Sequence, residues 1–453
     1  MVKSMAFSKT AKMSQKGSVC VLGLGYVGLT LALMLKECGA SVYGVDVNET
    51  VVSGINAGKP HFYEKGLVSL LKKHRKTGFV CHEGIPEGKN IDTYIVAVGT
   101  SVRHRKPDFG SLRAVSRDIG VVLKKGDSVI LRSTVPVGTT REFVVKILEK
   151  QSGLFAGRDF FIVFAPERTV EGVALQELRT LPQIVGGFDD ESTARAVRLF
   201  NLFSPKVVVV DSLEEAEMIK LLNNSYRDFS FAFANEFALA CDVFNLDAAK
   251  IIHTANHEYP RDRIPLPSPG VGGYCLTKDP HILHFSVKQK GYVMRLPRHA
   301  RVINEEMPNY VYRQVIKFLN AYHQKTTMRH IAVLGFAYKG NPPTSDVRFS
   351  PTLDVMALLK NIPRARLYGH DFVVPHSVIA RYGADPIESE RDIFKGKHAI
   401  VIMNNHPQYK KLLLQHQLMK KPALIFDTWS LLPKEKIINT KGLLYSNLGH
   451  DTI

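Results

Sequence analysis

A chain of 453 residues, 45% hydrophobic and 23% charged, has the composition of a folded protein of about three domains at roughly 150 residues each. It contains no run of about 18 apolar residues, which excludes a membrane-spanning helix, and its five cysteines (Cys20, Cys38, Cys81, Cys241, Cys275) include no CxxC pair, which argues against a disulfide framework or a zinc module. The formal charge of +18 is dispersed, with no aromatic-rich RNA signature and no basic recognition helix, so small phosphate-bearing ligands fit it better than nucleic acid or a membrane surface.

Residues 1–17 are lysine-rich and lack the apolar stretch of a signal peptide, and they read as a loose basic tail. With an odd cysteine count, the expected location is the cytoplasm. Residues 18–24 form a short apolar run that meets glycine, 29–38 continue with helical spacing, and 41–46 make a second strand. Further β-branched runs follow at 93–98, 128–131, 160–164, 183–185 and 206–210, with helix-like stretches between several of them. Such alternation builds a doubly wound parallel sheet.

From 213 to 244 the sequence keeps helical periodicity without Gly or Pro, which predicts one long helix of roughly 45 Å at 1.5 Å per residue. Residues 260–273 are rich in Pro and Gly and form a functional loop or a linker. Beyond about 325 the opening pattern returns. Val333-Leu-Gly-Phe-Ala-Tyr-Lys339 echoes Val21-Leu-Gly-Leu-Gly-Tyr-Val27, and Leu367-Tyr-Gly-His-Asp371 echoes Val42-Tyr-Gly-Val-Asp46. Ala337 stands where the first copy has Gly25, so a different ligand is expected there. The fold class is α/β: two Rossmann-like doubly wound domains, 18–211 and 326–453, joined by a central helical domain, 212–325.

Gly23-Leu-Gly-Tyr-Val-Gly28 follows a strand, opens a helix and is trailed by Asp46 at the next strand's end. Gly23 permits the turn, Gly25 lets the backbone close on a pyrophosphate, and Gly28 lets helix and sheet approach. Asp46 suits both ribose hydroxyls and repels a 2'-phosphate, so the expected cofactor is NAD.

Cysteine is ordinarily a small buried hydrophobe, and Cys20 and Cys38 fit that reading. Cys275 does not, because it lies in Pro269-Gly-Val-Gly-Gly-Tyr-Cys-Leu-Thr-Lys-Asp-Pro280 between glycines and the pair Lys278, Asp279. A helix beginning near Asp279 or Pro280 would bring a positive dipole end and a cation to the sulfur, favouring the thiolate. Lys220 and Asn224 share one face of the long helix. Arg132-Ser-Thr134-Val-Pro-Val-Gly138 and Pro166-Glu-Arg-Thr-Val-Glu171-Gly172 both follow strands, and strand ends on one edge of a parallel sheet line a crevice. His253 with His257 and His281 with His284 lack the acidic partners of a metal site, so no metal is expected.

Together these motifs resemble the UDP-glucose/GDP-mannose dehydrogenase family, from about 18 to about 432. The resemblance rests on the glycine turn, Ser133-Thr-Val-Pro-Val-Gly138, Pro166-Glu167 with Glu171-Gly172, Glu217 with Lys220 and Asn224, Gly272-Gly-Tyr-Cys275 with Lys278-Asp279, and Gly335-Phe-Ala-Tyr-Lys339 with Asp346 and Arg348. It implies a four-electron oxidation of a sugar C6 alcohol through a Cys275 thiohemiacetal and thioester, serving polysaccharide synthesis, in a homodimer formed through the central domain. It assigns catalysis to Cys275, Lys220, Asn224, Asp279, Thr134 and Glu167. Cofactor contacts are implied at Gly23, Gly25, Tyr26, Val27, Gly28, Asp46, Thr100, Thr134, Glu171 and Lys278. Substrate contacts are implied at Glu167, Arg168, Lys220, Asn224, Arg261, Gly272, Gly273, Lys339 and Arg348. Arg168, in place of an aromatic residue, resembles the branch acting on UDP-N-acetylhexosamines, whereas Tyr274 and Lys278 depart from that branch, Lys278 matching UDP-glucose members. The rival readings are a 3-hydroxyacid type dehydrogenase, which needs no cysteine, and a non-catalytic nucleotide-sensing or nucleic-acid-binding protein.

Overall fold

A computed structural model describes residues 3–5 and 18–450; the rest of the basic tail lies outside the described residues. The chain divides into two compact units, Met1–Asn223 with His281–Val293, and Asn224–Pro280 with Met294–Ile453. Of the three changes of unit, two fall within helices, Leu213–Val243 and Tyr274–Lys288, and the third falls between Val293 and Met294, ahead of the helix Leu296–Tyr322.

The first unit is built on a nine-stranded sheet in the order Lys3–Met5, Val207–Val210, Gln183–Gly187, Phe161–Phe164, Ser128–Leu131, Ile91–Val96, Ser18–Leu22, Ser41–Val45, Val80–His82. From Phe161–Phe164 to Val80–His82 every pairing is parallel, and the chain reverses its direction of winding between Ser18–Leu22 and Ile91–Val96. That reversal opens a crevice at the strands' carboxyl ends, where doubly wound sheets bind ligands. Two strands depart from the expected parallel sheet. Gln183–Gly187 runs antiparallel to Phe161–Phe164, and Lys3–Met5, within the segment read as a tail, pairs antiparallel to Val207–Val210. Val80–His82 gave no sequence signal because only Cys81 of its three residues is buried. The helix Tyr26–Glu37 is buried continuously from Gly28 to Leu35, so it reads as apolar all round and lies covered on every side.

The second unit carries a six-stranded sheet, Asp385–Pro386, Ala365–His370, Arg329–Leu334, Ala399–Ile402, Ala423–Asp427, Leu443–Ser446, parallel throughout. Its inner strands Ala399–Ile402 and Ala423–Asp427 are buried at every position, as both-face burial demands, whereas the edge strand Asp385–Pro386 is not. The helix Leu296–Tyr322 shares this sheet's core: Met307, Val311, Val315 and Phe318 cluster with Ile331, Val333, Val355 and Phe426. That continuous core is why the C-terminal sheet and the helices before it form one compact unit.

Candidate active site

In the first unit the strand Ser18–Leu22 leads into Gly23 at φ +91°, where a Cβ would lie 2.9 Å from the Ala97 backbone. At Gly28 a Cβ would stand 1.8 Å from the Gly23 carbonyl oxygen, so helix and turn touch backbone to backbone. At Gly25 a Cβ would meet nothing within 4 Å. The room above Gly25 is therefore open, at the N-terminus of a helix whose first internal bond runs from Leu29 N–H to the Gly25 carbonyl. Leading N–H groups there, those of Tyr26 and Val27, favour an anion. Asp46 is oriented by the Leu24 N–H at Oδ2 (2.8 Å) and the Asn48 N–H at Oδ1 (3.0 Å), which leaves each oxygen a further acceptor position. Beyond the strand Ile91–Val96, the buried Thr100 hydroxyl has no hydrogen-bond partner among the described residues. Buried polar atoms seldom stay unsatisfied. Open space at Gly25, a helix N-terminus, an oriented carboxylate and an orphaned hydroxyl fit a dinucleotide.

The next two strand ends supply charge. Arg132, one residue past Ser128–Leu131, is fully buried and donates to Glu167 Oε2 (2.5 Å) and Gln183 Oε1 (3.2 Å), its guanidinium 5.1 Å from the Phe200 ring centre. Glu167 Oε1 accepts the N–H groups of Arg168 (2.7 Å) and Thr169 (2.8 Å). Burial pulls the Glu167 carboxyl upward, but Arg132, the Thr169 N–H and Lys220 together hold it below the usual range. Glu167 is thus a fixed anion with Oε1 filled and one lone pair left on Oε2. Thr134 is half-buried in the same turn, where the Ser133 hydroxyl donates to the Val98 carbonyl (2.7 Å). Arg168 is half-buried, donates to the Pro182 carbonyl (2.5 Å) and has its pKa lowered by burial. Gly172, beside the half-buried Glu171, donates its N–H to Glu64 (2.6 Å).

Glu217, on the long helix, accepts from the Gly138 N–H (2.5 Å), the Thr140 N–H (2.8 Å) and the Thr140 hydroxyl (2.6 Å), and burial pushes its carboxyl up to about 7. It fastens the Thr134 turn to the helix that carries Lys220, which is itself buried. Sequence reasoning assigned no role to Arg132, Glu217 or Gln183. The available signal was a charge standing immediately after the apolar strand Ser128–Leu131, which is buried at every position.

In the second unit the helix Tyr274–Lys288 begins five residues earlier than Asp279 and encloses Pro280. Cys275 therefore sits in the helix's first turn, exposed, rather than upstream of it. Proline suggested a start because its missing N–H is harmless at N1, but one lost bond inside a 15-residue helix is tolerated here. Gly272 and Gly273 seat this start against the second α/β segment. A Cβ on Gly272 would lie 2.4 Å from the Phe349 carbonyl oxygen, and one on Gly273 2.6 Å from the Tyr338 ring. Asp279 is fully buried between two donors, Lys278 Nζ at Oδ1 (2.7 Å) and Asn224 Nδ2 at Oδ2 (2.5 Å). Burial pulls Lys278 downward, yet Asp279 and the Cys275 sulfur raise it overall, so it stays an ammonium. Lys278 Nζ and Arg348 Cζ each lie 5.2 Å from the Tyr274 ring centre, and Arg348 forks onto the buried Asp346 (2.7 and 2.9 Å). Lys339 is half-buried with Nζ 5.5 Å from the Tyr338 ring centre, whereas Arg261 is exposed, 5.8 Å from that of Tyr259.

The echoed turn is built differently. Asp371, the counterpart of Asp46, is buried and spent on backbone: Oδ2 accepts from Phe336 and Ala337 (2.7 and 3.0 Å), Oδ1 from Val373 and Val374 (2.8 and 3.0 Å). At the switch point Asn405 Oδ1 accepts from Gly340 and Asn341, both at 3.0 Å, and Asn404 crowds Gly335. Side-chain amides thus bond and crowd the turn of the second sheet, whereas the first sheet has open space at Gly25. Among the described residues no His, Cys, Asp or Glu cluster has metal-binding geometry, and no helix is long and apolar enough to cross a membrane.

A doubly wound sheet with an open glycine turn and an oriented acid at the second strand end defines a dinucleotide-binding domain, the kind that nicotinamide-dependent dehydrogenases carry. The chain matches three profiles of the UDP-glucose/GDP-mannose dehydrogenase family: the NAD binding domain over residues 17–204, the central domain over 214–306 and the UDP binding domain over 332–434. It is 34% identical over 396 residues to the UDP-N-acetyl-D-mannosamine dehydrogenase of Pyrococcus horikoshii, covering 87% of this chain and 90% of that protein. It is 31% identical over 405 residues to the NDP-N-acetyl-D-galactosaminuronic acid dehydrogenase of Ralstonia nicotianae, covering 87% and 92%. The solved structure of the UDP-D-ManNAc dehydrogenase from Pyrococcus horikoshii superposes with a TM-score of 0.85 at 31% identity, covering 96% of this chain and all of that one. The chain belongs to the UDP-glucose/GDP-mannose dehydrogenase family and is an NAD-dependent nucleotide-sugar dehydrogenase.

Proposed function

We propose that this enzyme oxidises the C6 alcohol of a UDP-N-acetylhexosamine to the uronate, with Cys275 as nucleophile. The observation that carries the reading is Cys275 itself, exposed in the first turn of a helix beside the Lys278–Asp279 ion pair. Helix N-terminus and ammonium both favour a thiolate. Gly23, Gly25, Gly28, Asp46 and Thr100 are assigned to hold NAD, which when bound supplies the hydride acceptor. The alcohol loses a hydride and a proton to give an aldehyde. Cys275 Sγ adds to C6, forming the C–S bond of a thiohemiacetal whose oxygen takes a proton. Loss of a second hydride and that proton yields a thioester. Water then attacks C6, the C–S bond breaks and sulfur departs as thiolate. The sum is R–CH2OH + H2O + 2 NAD+ → R–COO− + 2 NADH + 3 H+.

We assign Lys220 and Asn224 as donors to the C6 oxygen, and Thr134 with Glu167 to the hydrolytic water. Because Glu167 is held ionised with one free lone pair, its role is to orient water rather than to store a proton. Asp279 holds Lys278 and Asn224 in place, and because each of its oxygens accepts one donor and keeps a further acceptor position, we also assign it to proton transfer and to positioning water. We divide the chain functionally into 18–211 for the cofactor, 212–325 for the cysteine loop and dimer contact, and 326–453 for UDP. The N-acetylhexosamine assignment is supported by the relatives named above and by Arg168. Turnover of UDP-GlcNAc, UDP-ManNAc, UDP-GalNAc, UDP-glucose and GDP-mannose, read as NADH per sugar, tests it. Two NADH per sugar with an N-acetylated substrate is expected. One NADH and no acid sinks the four-electron chemistry, and turnover confined to UDP-glucose or GDP-mannose sinks the sugar assignment.

We further place the enzyme in the cytoplasm, supplying a UDP-uronate for polysaccharide synthesis, as a homodimer through the central helices. Tyr226 and Phe233, seven residues apart on one face of Leu213–Val243, are 69% and 51% exposed. The double variant Tyr226→Asp, Phe233→Asp is expected to run in light scattering as a single 50.6 kDa chain where the parent runs at twice that mass. An unchanged mass would rule this face out.

A further inference from the structure

We propose that Asp228, Arg301, Asn304 and Asn235 are positioning residues that fix the loop delivering Cys275, an inference that rests on the assignment of Cys275 as nucleophile. These four side chains lie on two helices, Leu213–Val243 and Leu296–Tyr322, and each is at least 97% buried. Asp228 Oδ1 accepts from Arg301 Nη1 (2.8 Å) and Asn304 Nδ2 (2.8 Å). Asn304 Oδ1 in turn accepts from Asn235 Nδ2 (2.8 Å). The chain ends on the loop backbone: Asn235 Oδ1 accepts the Ser268 N–H (2.7 Å), and Arg301 Nη1 reaches the Val271 carbonyl (3.5 Å). The Ser268 hydroxyl donates to the Gly270 carbonyl (3.1 Å), and a Cβ on Gly270 would press on the Asn304 carbonyl oxygen at 3.1 Å.

Residues 266–273 have no helix or strand of their own, yet from Pro267 to Gly273 they are buried. A buried irregular backbone has no ladder to satisfy its polar groups, so side chains must do it. Apolar packing of similar volume would hold two helices together as well as a buried ion pair does. What apolar side chains cannot do is accept from Ser268 and donate to Val271. The network therefore specifies where the loop lies, and Cys275 follows two residues after that loop. Small displacements of a nucleophile cost rate steeply, because attack needs a narrow range of distance and angle.

The test uses Asn235→Ala, which removes the loop contact, Arg301→Met, and Arg301→Lys as the conservative variant, each as the full-length protein. The Cys275 alkylation rate with iodoacetamide is followed by peptide mass, with kcat, the KM for NAD and the thermal midpoint measured alongside. Asn235→Ala and Arg301→Met are expected to lower kcat at least tenfold and to change the Cys275 alkylation rate at least threefold, with the KM for NAD within twofold, and Arg301→Lys to recover part of both. Should Arg301→Met fail to fold, Asn235→Ala carries the test. Folded variants with parental alkylation rate and kcat overturn the proposal. Alkylation reads loop position whether or not Cys275 is the nucleophile, so failure of that assignment shows separately, as persistent turnover in Cys275→Ser.

Discussion

Cys275→Ser is expected to lower steady-state uronate formation by a factor of about 1,000 or more, equivalent to about 4 kcal/mol in the barrier. A serine hydroxyl keeps the size and polarity but not the acidity, and Lys278, held as a buried ammonium by Asp279, cannot serve as its base. The thermal midpoint and NAD affinity should remain near those of the parent, because Cys275 is exposed and contributes little burial. The informative intermediate is the aldehyde. With addition blocked, a single turnover should release at most one NADH per sugar, and trapping with hydroxylamine should yield the oxime of a C6 aldehyde. Turnover within about threefold of the parent would instead favour a dehydrogenase of the 3-hydroxyacid type, which needs no thiol.

The features legible in sequence were those written in local order. The glycine turn and Asp46 lie within 24 residues, and hydrophobic periodicity marked Leu213–Val243 and all but the shortest strands of the first sheet. Cys275 stood out because glycines and charges surround it in the chain itself. What sequence could not show is long-range pairing of ordinary residues. Arg132 meets Glu167 across 35 positions and Asp228 meets Arg301 across 73; in sequence each is one more charge. The antiparallel run of Gln183–Gly187 was invisible for a related reason. An apolar run buried on both faces reads the same in either direction, and only its neighbours define its sense. Asp279 illustrates a subtler limit. One of its donors, Lys278, is its neighbour in the chain, but the other, Asn224, lies 55 positions away.

Gly25→Ala and Gly28→Ala should separate cofactor binding from folding at the turn. Gly25 sits at φ −69°, a backbone conformation open to alanine, and the new methyl would meet no protein atom within 4 Å. The parent thermal midpoint should therefore be kept, within about a degree or two. The same methyl occupies the space a pyrophosphate needs above the helix N-terminus, so NAD affinity should fall at least 100-fold, about 3 kcal/mol. Gly28→Ala acts differently, since its methyl would lie 1.8 Å from the Gly23 carbonyl oxygen, and neither partner is a side chain that can swing aside. The helix Tyr26–Glu37 must move off the strand Ser18–Leu22, so both midpoint and affinity should drop. Calorimetric titration with NAD and a thermal scan of each variant distinguish the two. Undiminished affinity in Gly25→Ala would remove the turn as the pyrophosphate seat, whereas equal loss of stability in both variants would mean that Gly25 serves the fold and not the cofactor.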